Sequence, residues 1–434
     1  MTLAPDLEVP ARNGAFQGTA ASRPSGRRIV VHDYAGHTFQ VQLSRWLAAQ
    51  GHQVLHLYAA ETQTPHGCLT HTPGDSPGFA VEGVSTGRPL DKYVLHRRWL
   101  HDRAYGGCLA ERVAAFAPDV VLSANTPPAS QERLLKRLNR MGVPLVCWVQ
   151  DIFTIGVEEI LKRKPAPIRW AARRLLEHTE FGVMRNSAGL VVISPDFLPV
   201  LAARGVRHPH SVVVENWAPY GDIEPRPRDN PWARARGLDG RFVFLFSGTL
   251  GMKHNPGHLA NLARAWRHDP QVRVVVVSEG LGRRWLEQVK AAEGLENLIL
   301  EDFQPYEALP DVLASADVLA VLLENYAGPL SVPSKVYSYF CAGRPIVGAV
   351  PAANLARRTI EREAAGLCVD PGDEAGFLAA AHRLYEDAAL RRVCAANQTR
   401  YAAQAFDIAR IGPRFVDVLE TACASVGKVL GTAQ

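Results

Sequence analysis

The sequence predicts two doubly wound, parallel α/β domains facing each other across a cleft, and three observations carry that prediction. At 434 residues the chain exceeds what one hydrophobic core usually serves. Short apolar runs rich in Val, Ile and Leu alternate with helix-sized intervals, the pattern of strands buried on both faces of a parallel sheet. That alternation breaks over residues 218–240, where APYGDIEPRPRDNPWARARGLDG is dense in Pro, Gly and charge, as a linker between domains should be.

The elements follow in order. Residues 1–26 hold Pro, Gly, Ser and Ala without the apolar core of a signal peptide, and read as a disordered tail. The first domain, 27–217, opens with a strand at 28–32 and the loop Asp33-Tyr34-Ala35-Gly36-His37. A helix over 38–50 then stops at Gly51-His52, before a strand at 54–57, completing a βαβ unit. Further strands are expected at 120–122, 145–149, 189–193 and 211–214. The second domain, 241–405, repeats the plan with strands at 242–246, 272–277, 298–300, 318–322, 345–348 and 366–369, and a helix over 257–267. Residues 406–434 read as a helical segment returning toward the first domain. In such sheets ligands bind where the strand C-termini point, so the cleft is the expected site.

Composition narrows the function. With 47% hydrophobic and 21% charged residues the chain is ordinary globular material with enough apolar residues for two cores. A net charge of +5 is a mild bias whose positive residues gather locally, which favours a local anionic partner over general nucleic-acid affinity. Seven cysteines without CxxC spacing fit reduced thiols in the cytoplasm, not a disulfide frame or a zinc site. No run of eighteen apolar residues is present, so no membrane span is expected.

Four pieces of the second half could hold a nucleotide diphosphate. In FSGTLGMKHNP, a strand runs into a glycine turn: Ser247, Gly248 and Thr249 bring backbone close to a ligand, and Lys253 can neutralise a phosphate oxygen. In VSEGLG a second strand ends in Gly280-x-Gly282, which alone is also an ordinary tight turn. In EDFQPY, Phe303 could hold a nucleobase, although by itself it reads as core. Pro333-Ser334-Lys335 opens a helix that ends at Gly343-Arg344-Pro345. Helix-start N–H groups, a hydroxyl and an ammonium together suit a doubly charged phosphate, and burial alone does not require Ser and Lys there. Tyr337 and Tyr339 lie two apart and point in different directions, so at most one lines the site; Tyr337 is assigned to it. In the first half, Gly36, His37 and Asn125 are the candidates for binding an acceptor, and Asp151 for a direct catalytic role with Lys253 and Lys335. The plainer roles are a helix cap or turn for Asp151, a turn before Pro127-Pro128 for Asn125 and a solvent contact for His37.

The order of these pieces over roughly residues 28–405 resembles the retaining GT-B glycosyltransferases of family 4. SGTLGMK is similar to the family's first glycine turn with its phosphate-binding lysine, SEGLG to its second glycine loop, and EDFQPYEALPDVLASADVLAVLL to its base-contacting stretch. PSKVYSYFCAGRPIV is similar to its diphosphate helix, and HDYAGHTFQVQLSRWLAAQGHQV to its opening strand, loop and helix. The resemblance implies two facing Rossmann-like domains. It also implies retaining transfer of a sugar, most simply from a UDP-sugar, to a glycan or lipid-linked acceptor in surface or exopolysaccharide synthesis. No metal or other cofactor is expected, because positive groups and a helix start suffice for the leaving diphosphate.

The chain departs from the family's pattern at three places. The usual pair of glutamates around the diphosphate helix is replaced by Leu330 and Ser338, and the helix instead resembles a polysaccharide-synthesis subgroup with a PSKxYxY pattern. Thr249 stands near the place of an arginine that often accompanies the first glycine turn, and Gln150-Asp151 where many relatives carry a histidine. A nucleotide-sugar 2-epimerase of the same fold, or a non-catalytic nucleotide-sugar-binding or partner protein, are the alternatives. Finally, residues 162–176, KRKPAPIRWAARRLL, and 96–103, HRRWLHDR, interleave basic and aromatic residues. They suit an anionic bilayer surface, hence a peripheral place on the inner face of the membrane.

Overall fold

The computed structural model describes residues 26–62, 69–88, 95–161, 164–251, 254–328 and 330–431; the expected tail, apart from Gly26, lies outside them. The first half comprises β1 (Arg28–Asp33), α1 (Thr38–Ala49), β2 (Gln53–Ala59), β3 (Phe79–Val84), α2 (Leu95–Phe116), β4 (Val120–Ala124) and α3 (Pro128–Met141). It continues with β5 (Leu145–Val149), α4 (Phe153–Leu161), α5 (Ala166–Asn186), β6 (Gly189–Val192), α6 (Phe197–Ala203) and β7 (Ser211–Val213). Their seven strands form one parallel sheet in the order β3-β2-β1-β4-β5-β6-β7. Ile29 is in register with Val54 on one side and Val120 on the other.

After α7 (Pro231–Arg234), the second half runs β8 (Phe242–Ser247), α8 (Gly257–Ala265), β9 (Val272–Val277), α9 (Leu281–Glu293), β10 (Leu298–Glu301), α10 (Leu309–Ala314), β11 (Val318–Leu322) and α11 (Lys335–Ala342). It ends with β12 (Ile346–Ala349), α12 (Leu355–Arg362), β13 (Gly366–Val369), α13 (Glu374–Glu386), α14 (Ala388–Ala405) and α15 (Ile408–Gly431). Here six parallel strands are ordered β10-β9-β8-β11-β12-β13. Central strands such as β4, β5 and β11 are buried at every position, which explains their unbroken apolar sequence.

Both sheets reverse direction once, between β1 and β4 in the first and between β8 and β11 in the second. At such switch points the loops leaving the two strands diverge and open a crevice. The loops after β1 and β4 carry His37 and Asn125; those after β8 and β11 carry Gly248 and Pro333-Ser334. Topology alone therefore gathers most of the candidate residues.

Three features differ from the sequence expectation or refine it. Strand β3 was not expected, because Glu82 and Gly83 interrupt its apolar run; it is an edge strand, and Glu82 pairs with Arg112 of α2. The 218–240 segment is packed, not loose: Ile223, Trp232 and Leu238 are buried. Asn230 caps α7 by accepting from the Ala233 N–H at 3.0 Å, and Arg228 binds Asp317 at 2.8 Å. At the other end α15 crosses back onto the first sheet. Phe415 packs against Trp148 with ring centroids 4.6 Å apart, and Trp148 stacks on Trp217 at 5.8 Å. Gly412 lets the helix touch Trp46: a Cβ there would lie 2.4 Å from the indole.

Candidate active site

On the second-domain side, β8 delivers Ser247 to a turn that needs glycine, since Gly248 has φ +124. Gly248 also allows a close approach, because a Cβ there would stand 3.0 Å from Lys335 Nζ. Helix α11 is pinned beside this turn by Tyr339, whose hydroxyl accepts from the Ser247 N–H at 3.0 Å and donates to the Ser247 carbonyl at 3.2 Å. The loop before α11 is held by Asn354, which donates to the Gly328 and Ser331 carbonyls at 2.9 and 3.0 Å. Gly343, at φ +62, ends the helix as the sequence predicts.

Lys335 is the first residue of α11. Its Nζ is buried, lies 3.6 Å above the Phe246 ring and has no hydrogen-bond partner among the described residues. Burial pulls its pKa down to about 7. A buried ammonium without an acceptor is unfavourable by itself. Ser334 is exposed and its side chain does not cap the helix, so its hydroxyl is available beside the ammonium. Pro333 precedes it at partial exposure.

The second glycine loop has a different part. Gly282 donates its N–H to the Leu250 carbonyl at 3.0 Å, and Cβ atoms at Gly280 or Gly282 would press on Leu250 at 3.1 and 2.9 Å. These glycines join the two turns to each other and so hold the first in place. Thr249 is exposed, Phe303 half-exposed, and Lys253 lies outside the described residues. Tyr337, assigned to the site from the sequence, is 3% exposed and packs edge-on against Phe406 at 5.6 Å. The tyrosine that reaches the turn is Tyr339.

On the first-domain side, the sequence reading overlooked Asp33. Its carboxylate is fully buried at the end of β1 and accepts from the Ala35 N–H at 3.1 Å, the His37 N–H, His37 Nδ1 at 3.2 Å and Asn125 Nδ2 at 3.3 Å. Gln40 adds a donor at 2.7 Å when its amide is oriented to give one. Burial works to raise the pKa of Asp33, but the His37 ring and these donors outweigh it, and the group stays below the usual carboxylate range. Burial likewise works to lower that of His37, and Asp33 reverses it, so His37 is raised. The signal for this pair was the D-x-x-x-H spacing across the loop. Gly36 makes the turn at φ +72, and Asn125 adopts φ +52, an uncommon conformation for a non-glycine residue.

Beside them lies a small pocket lined by Asn125, Gln131, Trp148, Gln150, Asp151 and Glu180, among others. Asp151 is exposed at its rim, and adds to the charge that raises His37. At the start of α4, buried Glu180 accepts from the Phe153 and Thr154 N–H groups at 2.7 and 2.8 Å. Two contacts join the halves across the cleft. Arg358 of α12 binds Asp196 with Nη2 at 2.5 Å, and the Tyr306 hydroxyl, which burial pushes above the usual phenol range, stands beside Thr38 and Asp222.

Comparison with known proteins agrees with this architecture. Residues 36–217 match the glycosyl transferase 4-like domain, and residues 241–387 match the glycosyl transferases group 1 family. A protein of Escherichia coli (strain K12) named as a colanic acid biosynthesis glycosyl transferase, WcaI, is 23% identical over 76% of this chain and 83% of its own length. WbjE of Pseudomonas aeruginosa, named as a glycosyltransferase, is 27% identical over 59% of this chain and 63% of its own. Among solved structures, Anabaena Alr3699/HepE in complex with UDP-glucose superposes with a TM-score of 0.68 at 16% identity, covering 91% of this chain and all of that one. WaaG, a glycosyltransferase involved in lipopolysaccharide biosynthesis, gives 0.65 at 16% identity over 90% and 99%. With a 4-like domain before a group 1 domain, two parallel sheets and a cleft at their switch points, the chain is a glycosyltransferase of GT-B architecture.

Proposed function

We propose that the enzyme transfers a sugar with retention from a UDP-sugar to a glycan or lipid-linked acceptor in surface or exopolysaccharide synthesis, without a metal. The observation that carries the donor reading is the buried Lys335 ammonium at the start of α11, which has no hydrogen-bond partner among the described residues and lies against the Gly248 turn. As the bond from the anomeric carbon to the β-phosphate oxygen breaks, negative charge collects on the diphosphate. Lys335, the Ser334 hydroxyl and the positive end of α11 would stabilise it, with Lys253, which follows the β8 turn in sequence, as a further cation. On the same face of the sugar the acceptor hydroxyl attacks and its proton passes to a phosphate oxygen, so no separate protein base is required. UDP as the base is supported by the UDP-glucose bound to the structurally similar HepE, and the polysaccharide setting by the name of WcaI.

A lipid-linked acceptor is supported by the surface of α5 and α2. Ile168, Trp170 and Leu175 are 55%, 67% and 50% exposed, and Trp99 and Leu100 are 37% and 58% exposed. Lys164, Arg169 and Arg174 stand among them without ion pairs among the described residues, whereas Arg173 is tied to Glu177 at 3.0 Å. Both helices begin at the cleft end of the first sheet, so a cytoplasmic enzyme resting on the inner leaflet would present its pocket to a lipid-borne sugar. Among the described residues no helix is long and apolar enough to cross a membrane.

The test is a thermal-shift screen against UDP, GDP, ADP, CMP and dTDP with Lys335→Ala and Ser334→Ala alongside. A shift with UDP that both substitutions weaken supports the site. No response to any nucleotide, or one indifferent to both changes, overturns it.

A further inference from the structure

The pair Asp33–His37 is more than a loop brace. Asp33 is fully buried, yet accepts from three elements: its own loop, α1 through Gln40 and the turn after β4 through Asn125. One ring nitrogen of His37, Nδ1, is spent on this carboxylate at 3.2 Å and lies 3.1 Å from Asn125 Nδ2. The other, Nε2, has no partner among the described residues, and the side chain is 39% exposed. His37 directly precedes Thr38, beside which Tyr306 of the second domain stands, so the exposed nitrogen sits on the wall of the cleft. The remaining neighbours are the Gln40 side chain, which hydrogen-bonds His37, the Phe39 ring at 5.6 Å and the charge of Asp151; His56 acts on Asp33 from β2.

A buried carboxylate that fixes the Nδ1 proton leaves Nε2–H pointing outward as a cationic donor. Such a group is matched by an anion, and the anion expected in this cleft is the donor's diphosphate. We infer that Asp33 positions His37 so that its imidazolium donates, from the first domain, to a phosphate oxygen of the nucleotide that Lys335 holds from the second. His37 thereby belongs to the donor and not to the acceptor. It keeps its proton throughout: its hydrogen bond strengthens as the leaving oxygen gains charge. The inference rests on the donor reading above, and deepens it by making UDP bridge the two domains.

The sign of the pH effect follows from the pair. With its pKa raised, His37 is charged at low pH and loses the charge as pH rises through its folded value, so the contact weakens on the alkaline side. The experiment is calorimetric titration of the full-length enzyme with UDP from pH 6 to 9, comparing wild type, His37→Gln and Lys335→Met, with melting curves for each. Lys335 titrates in both wild type and His37→Gln, so the difference between those two curves belongs to His37. The expected result is UDP binding about tenfold weaker in His37→Gln at pH 6.5, with the gap closing toward pH 9 and a melting transition that stays cooperative. Asp33→Asn, if folded, should move the closing of the gap to lower pH. UDP binding that depends on Lys335 but is identical in His37→Gln at every pH overturns the inference and leaves the donor site standing. No UDP binding by the wild type overturns both.

Discussion

Replacing Lys335 with methionine should stabilise the empty enzyme while removing its nucleotide response. Methionine keeps the length of the side chain and its contact with the Phe246 ring but carries no charge to desolvate. In the folded protein the lysine pKa falls from 10.5 to about 7, so at pH 8 the ammonium that the unfolded chain carries must be given up. That release costs about 3 kcal/mol at pH 8, from roughly 1.4 kcal/mol per pKa unit. Because the folded pKa is depressed, the penalty is full below about pH 7 and vanishes as pH rises through the unfolded value. The gain from Lys335→Met should therefore shrink to under about 1 kcal/mol by pH 10. For a domain of this size, 3 kcal/mol is a rise of about 6–12 °C in the transition of the second domain, read by differential scanning calorimetry. Adding UDP should raise the wild-type transition and leave that of the variant unmoved. A variant no more stable than wild type at pH 8, or one whose gain is independent of pH, would refute the claim that this lysine is held without a partner.

Acid should weaken the first domain: burial lowers His32 to about 3 and His56 to about 4, so both stay neutral in the fold while the unfolded chain takes up protons below pH 6.5. Each contributes about 2 kcal/mol of lost stability between pH 8 and pH 5, measurable by denaturant unfolding, and a flat profile over that range would contradict their burial. Gly412→Val should cost about 1–3 kcal/mol and release α15, because a Cβ already meets Trp46 at 2.4 Å; limited proteolysis and Trp46 fluorescence report it. Charge reversal of Lys164, Arg169 and Arg174 should abolish flotation with anionic vesicles without changing UDP binding, at roughly 1 kcal/mol per cation, while neutral vesicles should bind neither protein. Unaltered flotation would remove the membrane from the proposal.

What the sequence made legible is whatever local chemistry decides. Valine-rich runs can only be buried strands here, and β1, β5, β8, β9 and β11 begin and end within a residue or two of where the alternation puts them. Pro333-Ser334-Lys335 and Gly343 delimit α11 because proline and glycine have few other uses. Illegible were the choices settled by residues far away in the chain. Helical spacing says that Tyr337 and Tyr339 diverge but not which meets the glycine turn; Tyr339 binds the Ser247 backbone, while Tyr337 packs on Phe406. Composition marks 218–240 as a linker, but Asp311, Asp317 and Gln304 of the second domain bind its Arg226, Arg228 and Trp232 and turn it into a packed strap. Asp33 was passed over because a carboxylate ending a strand is common; five converging donors, one from the turn after β4, distinguish it.

The two halves of the cleft leave complementary groups unsatisfied. In the second, a buried ammonium lacks an acceptor; in the first, a fixed imidazole turns its remaining nitrogen outward. Each arrangement costs stability on its own, since a buried charge without a partner is unfavourable and Asn125 sits at a positive φ beside the imidazole. A nucleotide diphosphate offers acceptors to both at once, so its binding energy grows as the halves approach and couples donor binding to closure. The Arg358–Asp196 bridge and the contact of Tyr306 with Thr38 already hold the halves near each other. In the reaction proposed here the missing glutamate pair is not required: the developing charge would fall on the diphosphate, where Lys335 from the second domain and His37 from the first would meet it.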